Sequence, residues 1–456
     1  MDNSNKLGWI AGFAVAIGLN IGGGLWTTPI IAASVTGPVT IALTLLATIP
    51  IILAAPAYIS LSKIWPISPG HYYYPTRMLV PENRSVSKFI GWTIIWAQIA
   101  IAGFVLVQVL VIAGASYLNQ LIPAVPVSVF TISLLLGTVT VVWFGLRAVG
   151  RIEVLMAAIL LVSMGIILLS GIPHMDVDNY TPFIPTGASP ILSSFGLMFG
   201  TVLGSISLID LSGEIKNPEK TFGQLLISST GVTAVISALI VFVSIGIVPY
   251  SDLQNRTLRF VTSQYLPPEV LILSTIGAAL AGVTSVIGIV AITNRHVSAA
   301  SNDGILPKII SKNNAHGEPA YVLIFIAITS IAGSLLNIPI YDMVSGGTLA
   351  ILGPPILVCL TGFRLPSTYP EIFERKEFKN KAYLHPAIVR WSSLAAALCL
   401  IAMYVNVAVQ NSTGAMWYGL FLSTGIVIFA LRVLYQRTQT DTNLKTGPTP
   451  EFLSED

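Results

Sequence analysis

Nine stretches of the chain contain no Lys, Arg, Asp or Glu: residues 7–62, 89–146, 154–175, 179–209, 221–251, 270–294, 319–341, 343–363 and 391–431. A helix that crosses the ~30 Å hydrocarbon layer of a membrane needs about 20 mainly apolar residues at ~1.5 Å per residue. Six of the stretches suit one crossing each. The other three suit two, and each holds a turn signal: Gly37-Pro38, Asn119 to Pro126, and Asn411 to Gly414. The pattern therefore predicts twelve spans. These runs are continuous in Leu, Ile, Ala and Val, which excludes the ~10-residue alternating segments of a membrane β-barrel. The expected fold class is an all-α polytopic membrane protein.

Composition agrees: 54% of the 456 residues are hydrophobic and 9% charged, whereas a soluble domain is about 25% charged. Two cysteines, Cys359 and Cys399, both inside apolar runs, make no disulfide scaffold. The first apolar run opens at Leu7 after a short polar stretch, lacks a small-residue cleavage site, and is read as a retained span rather than a secretion signal. With the N-terminus placed in the cytoplasm, Lys6, Lys63, Arg77, Arg84, Lys88, Arg147, Arg151, Lys216, Lys220, Lys308, Lys312, the cluster from Arg364 to Arg390, and Arg432, Arg437 and Lys445 all fall inside; Arg256 and Arg259 fall outside. Such one-sidedness predicts cytoplasmic N- and C-termini in a cell membrane. The longest polar insert, Arg364 to Arg390, is too short for a soluble domain. Residues 1–436 are thus expected to form one domain, with a flexible cytoplasmic tail over 437–456. The expected surroundings are lipid and the expected partner a small molecule, with no nucleic acid.

Inside the first span lies Ile17-Gly18-Leu19-Asn20-Ile21-Gly22-Gly23-Gly24-Leu25-Trp26. Each Gly costs a helix interior up to ~1 kcal/mol relative to Ala. Packing motifs space small residues four apart on one face, whereas a contiguous triplet faces all directions and predicts unwinding. Unwound backbone at membrane depth must line a cavity. The sixth span offers a weaker interruption at Phe199-Gly200-Thr201-Val202-Leu203-Gly204-Ser205. Matching interruptions in two halves point to a transporter site. Half-helix N-termini offer N–H groups to an anion, and half-helix C-termini offer C=O groups to a cation. A zwitterion suits both, which favours amino acids over sugars.

The glycine triplet and three further stretches carry a resemblance to the amino acid-polyamine-organocation transporter superfamily. The glycine triplet resembles that family's Gly-x-Gly signature in the first helix. Pro66-Ile67-Ser68-Pro69-Gly70-His71-Tyr72-Tyr73-Tyr74 resembles its Pro-x-Ala-Gly-Gly-x-Tyr-x-Tyr, with Pro69 where the first Gly usually stands. Glu214-Ile215-Lys216-Asn217-Pro218-Glu219-Lys220 resembles Glu-x-Lys-Asn-Pro-x-Arg. Asn302-Asp303-Gly304-Ile305-Leu306-Pro307, with Gly317-Glu318-Pro319 after it, resembles Arg-Asp-Gly-x-Leu-Pro and Gly-x-Pro. The resemblance implies a leucine-transporter-like fold: helices one to five (8–172) and six to ten (190–363) as inverted repeats, helices one and six discontinuous, and two more helices over 387–436. It implies secondary active transport, as a symporter or antiporter. The substrate carboxylate would meet the amides of Gly22, Gly23 and Gly24, and the ammonium the carbonyls near Ile17 and Phe199. Asn20, Ile21, Gly200, Thr201, Leu203 and Gly204 would complete the site.

The chain also departs from that pattern. Gly200 and Ser205 stand where bulky residues are frequent, which leaves either a pocket open to a larger side chain or gating by Phe199 and Trp26. Ile206 stands where relatives often carry an acid, and Asp210, one turn on, is the nearest substitute. No lysine follows Arg151-Ile152-Glu153-Val154-Leu155-Met156 at Ile159 or Leu160, so the lysine that replaces sodium in some proton-coupled relatives is absent. Thr284 and Ser285, in the eighth span, match the place where the wider fold draws two hydroxyls and helix-one carbonyls around sodium; oxygen ligands suit such a hard cation. The structural alternative is that both hydroxyls bond back to their own helix.

Asp210 is the most conspicuous acid, because a carboxylate within a span costs ~2.5–3.5 kcal/mol on insertion scales. It is read either as a proton carrier or as a structural partner for Ser, Thr or a nearby cation. Glu153 and Glu214 are expected to pair with Arg147, Arg151 and Lys216 near the inner interface. Gln98 and Gln108 are polar enough to line a pocket or to bond between helices. The five histidines, His71, His174, His296, His316 and His385, show no ligand spacing, and no phosphate loop or nucleophile–base constellation can be assembled. The chain reads as a transporter and not an enzyme, without a cofactor beyond a coupling Na⁺ or H⁺. A pocket with no dedicated basic residue favours neutral or apolar amino acids. The alternative is cationic amino acids or polyamines, using Asp210.

Overall fold

A computed structural model of the chain describes residues 6–254, 256–335 and 340–438. Among these the regular structure is helical, and β pairing is limited to the isolated bridges Leu7–Ile215 and Asn313–Pro319. The first expected span divides at its glycines. α1 (Trp9–Asn20) ends at Ile21, whose φ of −83° and ψ of 52° leave the helical region. A 3-10 turn over Gly23–Trp26 then leads into α2 (Thr28–Thr36). Gly37, at φ +70°, turns the chain beside Pro185, whose Cγ would lie 2.7 Å from any Cβ added there. α3 (Thr40–Leu46) and α4 (Ile49–Ile64) return it.

The short α5 (Gly70–Tyr74) precedes α6 (Arg84–Ile99) and α7 (Leu106–Leu121), which a π-helical turn over Ala100–Val105 joins into one rod. Gln108 explains part of that turn, since its Nε2 donates to the Gly103 carbonyl at 2.8 Å. α8 (Val127–Trp143) and α9 (Leu146–Gly171) follow. The sixth expected span holds α10 (Ala188–Val202), α11 (Gly204–Ser207) and a 3-10 run over Leu208–Glu214. α12 (Pro218–Ile247), the short α13 (Leu258–Thr262) and α14 (Pro268–Asn302) come next, then α15 (Ala320–Leu335) and α16 (Ile340–Thr368). Two single turns, α17 (Pro370–Phe373) and α18 (Lys376–Lys379), lead to α19 (Pro386–Gln410) and α20 (Ser412–Thr438). The expected tail is described as far as Thr438, where the chain is still helical; 439–456 lie outside the described residues.

Among the described residues nine helical stretches are long and apolar enough to cross a membrane, and three apolar helices are shorter, Trp9–Asn20, Val127–Trp143 and Ala320–Ser334. α1 stops at the glycines, while its continuation runs through Gly37 into α4 as one stretch, Gly24–Ile64. The helix-six interruption is also milder than a break: Leu203 keeps φ −62° and ψ −29°, so only a turn separates α10 from α11. The protein is an all-helical polytopic membrane protein.

Lipid is as apolar as leucine, so helices here associate through close packing and internal polar contacts. α1 occupies the middle, against α9, α12 and α14 and in touch with α11. α16 lies along α19 and α4, where a Cβ on Gly362 would meet Ser393 Oγ at 2.7 Å. At 35 residues α14 is ~52 Å long, well beyond the hydrocarbon thickness. Its last turns therefore have room for Arg295 and His296 outside the apolar layer.

Candidate functional site

The helix-one break is built by the chain's own economy. Ile21 N–H still reaches the Ile17 carbonyl at 2.6 Å, and the next backbone bonds are the shorter-range Leu25 N–H to Gly22 O, 2.9 Å, and Thr27 N–H to Gly24 O, 3.2 Å. No side chain caps the restart at Gly22, so first-turn amides remain for a ligand or water. Asn20 Nδ2 donates to Ser205 Oγ at 2.5 Å, and Ser229 Oγ donates to the same oxygen at 3.1 Å. Asn20 Oδ1 is buried without a hydrogen bond. Gly204 lies so close to α1 that a Cβ on it would stand 2.5 Å from the Leu19 carbonyl oxygen and 2.8 Å from Asn20 Oδ1. The segment expected to break in helix six thus packs directly on the break in helix one.

α14 closes the other side. Ser285 Oγ donates to the Gly18 carbonyl at 2.7 Å, and Thr284 Oγ1 donates to the Ala281 carbonyl at 3.0 Å and toward Gly18 O at 3.5 Å. Gly22 abuts Ser285 Oγ. These hydroxyls and carbonyls are the oxygen type a hard monovalent cation takes. Asn20, Gly22, Gly204, Thr284 and Ser285 therefore come together around the break.

Other expected residues do not. Ile17, Ile21 and Trp26 are fully buried in an apolar cluster with residues of α9, α12 and α14, and the Trp26 ring packs against Gly277. Phe199 and Leu203 belong to a different cluster, with Ala16, Tyr58, Met198 and Ile206. The two gate candidates thus sit in separate cores. Thr201 bonds back to the Met198 carbonyl at 2.7 Å. Gly24 and Gly200 are exposed, and nothing stands within 4 Å of a Cβ placed at Gly200. Gly23 lies in the 3-10 turn. Gln98 and Gln108 bond between helices, Gln98 to Thr293 Oγ1 at 2.8 Å and Gln108 to the Thr329 carbonyl at 3.3 Å.

The acids find partners that local spacing does not show. Asp210 accepts from the His71 backbone N–H at 2.8 Å and lies 2.7 Å from His71 Nδ1, while His296 Nε2 is 3.6 Å away. His71 Nε2 in turn meets the Tyr58 hydroxyl at 2.9 Å. Glu214 pairs with Arg295 and not with the expected Arg147, Arg151 or Lys216. The Arg295 guanidinium reaches both Glu214 oxygens, at 2.9 and 3.1 Å, and both Glu318 oxygens, at 2.7 and 2.9 Å. Asp303 accepts from Arg77 Nη2 at 2.6 Å and from the Tyr72 hydroxyl at 2.7 Å. Losing one partner of such a buried pair costs ~3–5 kcal/mol, because the other charge is left uncompensated. His71, Tyr72, Glu214, Asp303 and Glu318 all come from the motif stretches noted in the sequence, which the fold gathers into linked polar clamps. Arg295 and His296 were missed; their signal was an Arg-His pair directly ending a charge-free stretch.

Residues 7–431 match the amino acid permease family. The chain belongs to that family. The permease is 26% identical over 447 residues to the methylthioribose transporter of Bacillus subtilis (strain 168), covering 91% of each chain. It is 27% identical over 366 residues to the branched-chain amino acid permease BcaP of Lactococcus lactis subsp. cremoris (strain MG1363), covering 74% of this chain and 77% of that one. It is 24% identical over 271 residues to the putrescine transporter PotE of Escherichia coli (strain K12), covering 56% and 58%. Members of this family are transporters, so the permease is a membrane carrier and not an enzyme.

Proposed function

We propose that the permease carries neutral, apolar amino acids across the cell membrane by alternating access, driven by a proton or sodium gradient or by exchange. The observation that carries this reading is the uncapped restart at Gly22, held in the bundle interior against Ser285, directly after the Leu19-Asn20 end of α1 that Gly204 and Ser205 touch. Exposed N–H and C=O dipoles of opposite sign there suit a carboxylate and an ammonium together. None of the residues converging on the break, Asn20, Gly22, Gly204, Thr284 and Ser285, is charged. In this reading the helices amount to twelve spans with both termini cytoplasmic, residues 8–172 and 190–363 forming inverted repeats and 387–436 the last two helices. Thr284, Ser285 and the Gly18 carbonyl are the sodium candidates. Asp210 is engaged by His71 and approached by His296, which leaves it poorly placed to receive a cationic substrate and favours the neutral class over cationic amino acids and polyamines.

Thermal unfolding of the purified protein with L-leucine, L-arginine, putrescine or methylthioribose tests the reading. A ligand at 100 times its Kd stabilises the folded state by ~2.7 kcal/mol. L-leucine is expected to raise Tm and the other three to leave it unchanged. Stabilisation by arginine or putrescine alone would restore the cationic reading, and by methylthioribose alone would remove amino acids as the substrate class.

A further inference from the structure

Glu153 stands in the second turn of α9 with 0% exposure, and neither carboxylate oxygen accepts a hydrogen bond. It is not at an interface with Arg147 or Arg151, as its neighbours in sequence suggest. Oε2 presses on Gly18 of α1: a Cβ on Gly18 would collide with that oxygen and stand 3.2 Å from Thr284 Cβ. Three helices, α1, α9 and α14, therefore meet around one carboxyl group, two turns or less from the helix-one break.

Nothing nearby neutralises it. The Ser285 and Thr284 hydroxyl protons are committed to the Gly18 and Ala281 carbonyls. α1 and α8, both packed on α9, contain no titratable side chain. α12 carries Glu219 and Lys220 in its first turn, and α14 carries Glu269 at its start and Arg295 and His296 near its end. Arg295 is held by Glu214 and Glu318, and His296 faces Asp210. On α9 itself, Arg151 is two residues away and on another face, and Arg147 lies in the first turn. The last carbonyls of α1 add the negative end of its dipole beside the carboxyl. An ionised Glu153 would thus be desolvated, unpaired and repelled, whereas the neutral acid pays only the smaller cost of an unpaired polar group.

We infer that Glu153 is the coupling carboxyl of this permease, protonated while α1 is closed on α9 and α14, and ionised once α1 swings away and water reaches it. A proton leaves water on one side, binds the Glu153 carboxylate, moves as the neutral acid, and returns to water on the other side; no electron is transferred and no other bond changes. Substrate and proton share α1, because the chain that presents Gly22 to the solute presents Gly18 to Glu153. The inference rests on the transport reading above and extends it to the driving ion.

Two measurements on the full-length protein in liposomes test it. Infrared spectra at neutral pH in potassium buffer need no substrate: the wild type is expected to show the C=O stretch of an un-ionised, unhydrated carboxylic acid that Glu153→Gln lacks. Absence of that band, or its loss when sodium replaces potassium at constant pH, overturns the inference, the second result making Glu153 a sodium ligand. In the other measurement, radiolabelled L-leucine uptake is driven by a one-unit pH gradient with the membrane potential clamped at zero, which supports an accumulation ratio of about tenfold for one proton per solute. Wild type is expected to approach that ratio. Glu153→Gln should fall to no accumulation while eluting as a folded monodisperse protein, and Glu153→Asp should regain part of it. Accumulation by Glu153→Gln equal to wild type overturns the proposal. A wild type that shows the infrared band but carries no leucine defeats the substrate reading and leaves Glu153 as the protonated group.

Discussion

The first and sixth spans both carry glycines in their interiors, yet the chain leaves the helical path at the glycines only in the first. In the first, Gly22, Gly23 and Gly24 are contiguous, α1 stops at Asn20, and a 3-10 turn replaces the lost geometry. In the sixth, Gly200 and Gly204 are four apart, Leu203 stays right-handed helical, and the backbone tightens to 3-10 only from Leu208. Spacing, and not glycine content, decides the outcome. Three adjacent glycines remove side-chain support on every face and pay the backbone entropy three times. Two glycines one turn apart leave the hydrogen-bonded path intact and open one face to close approach, and Gly204 uses it against Leu19 and Asn20. One span is broken to expose its dipoles, and the other is trimmed so that it can lie against the break.

Gly204→Ala should have the largest effect. The new Cβ would stand 2.5 Å from the Leu19 carbonyl oxygen and 2.6 Å from its carbonyl carbon. These are backbone atoms that cannot rotate away, so α1 and α11 must part. Overpacking of this kind costs ~1–3 kcal/mol, here with the upper end expected. A clear fall in Tm and loss of uptake should follow. A Gly204→Ala protein as stable and active as wild type would mean that the sixth span does not need its close approach.

Gly22→Ala should act more on transport than on stability. Its Cβ meets Ser285 Oγ, a side-chain atom able to turn aside at the cost of its bond to Gly18 O, ~1 kcal/mol. Alanine returns up to ~1 kcal/mol of helix propensity, so Tm should barely move while the break partly closes and uptake falls. Adding Ser285→Ala removes the obstructing oxygen. If the double variant regains uptake, the obstruction mattered; if it stays inactive, the freedom of the Gly22 backbone did.

The helices and the turns at Gly37, Ile122 and Asn411 were legible because a membrane permits charge only where water or a partner is available, so gaps in charge map onto helices. The helix-one break was legible for the same local reason. The partners of buried acids were not. Glu153 has Arg151 two positions before it, which looks like a pair on paper, but residues two apart on a helix do not face each other. Glu214 finds Arg295 across 81 positions, and Asp210 finds His71 across 139. Such pairings depend on which helices the fold makes neighbours, and periodicity within one segment carries no information about them. Likewise, Phe199 and Trp26 each look suited to gating from local sequence, while the packing assigns them to separate apolar clusters.

Gly200→Ala should have the smallest effect, and opposite in sign to Gly204→Ala. Gly200 is exposed within α10, and its Cβ would meet no heavy atom within 4 Å. Steric cost is therefore absent, and replacing a helical glycine by alanine gains ~0.5–1 kcal/mol by restricting the unfolded chain. Tm should rise slightly and uptake remain at the wild-type level. The pair thus separates two uses of glycine four residues apart in one span, one to admit a neighbour and one with no contact to protect. A Gly200→Ala protein that is stabilised yet cannot transport would change this assignment, because the open space beside Gly200 would then belong to the substrate's path, and the sixth span would serve the site on two of its faces.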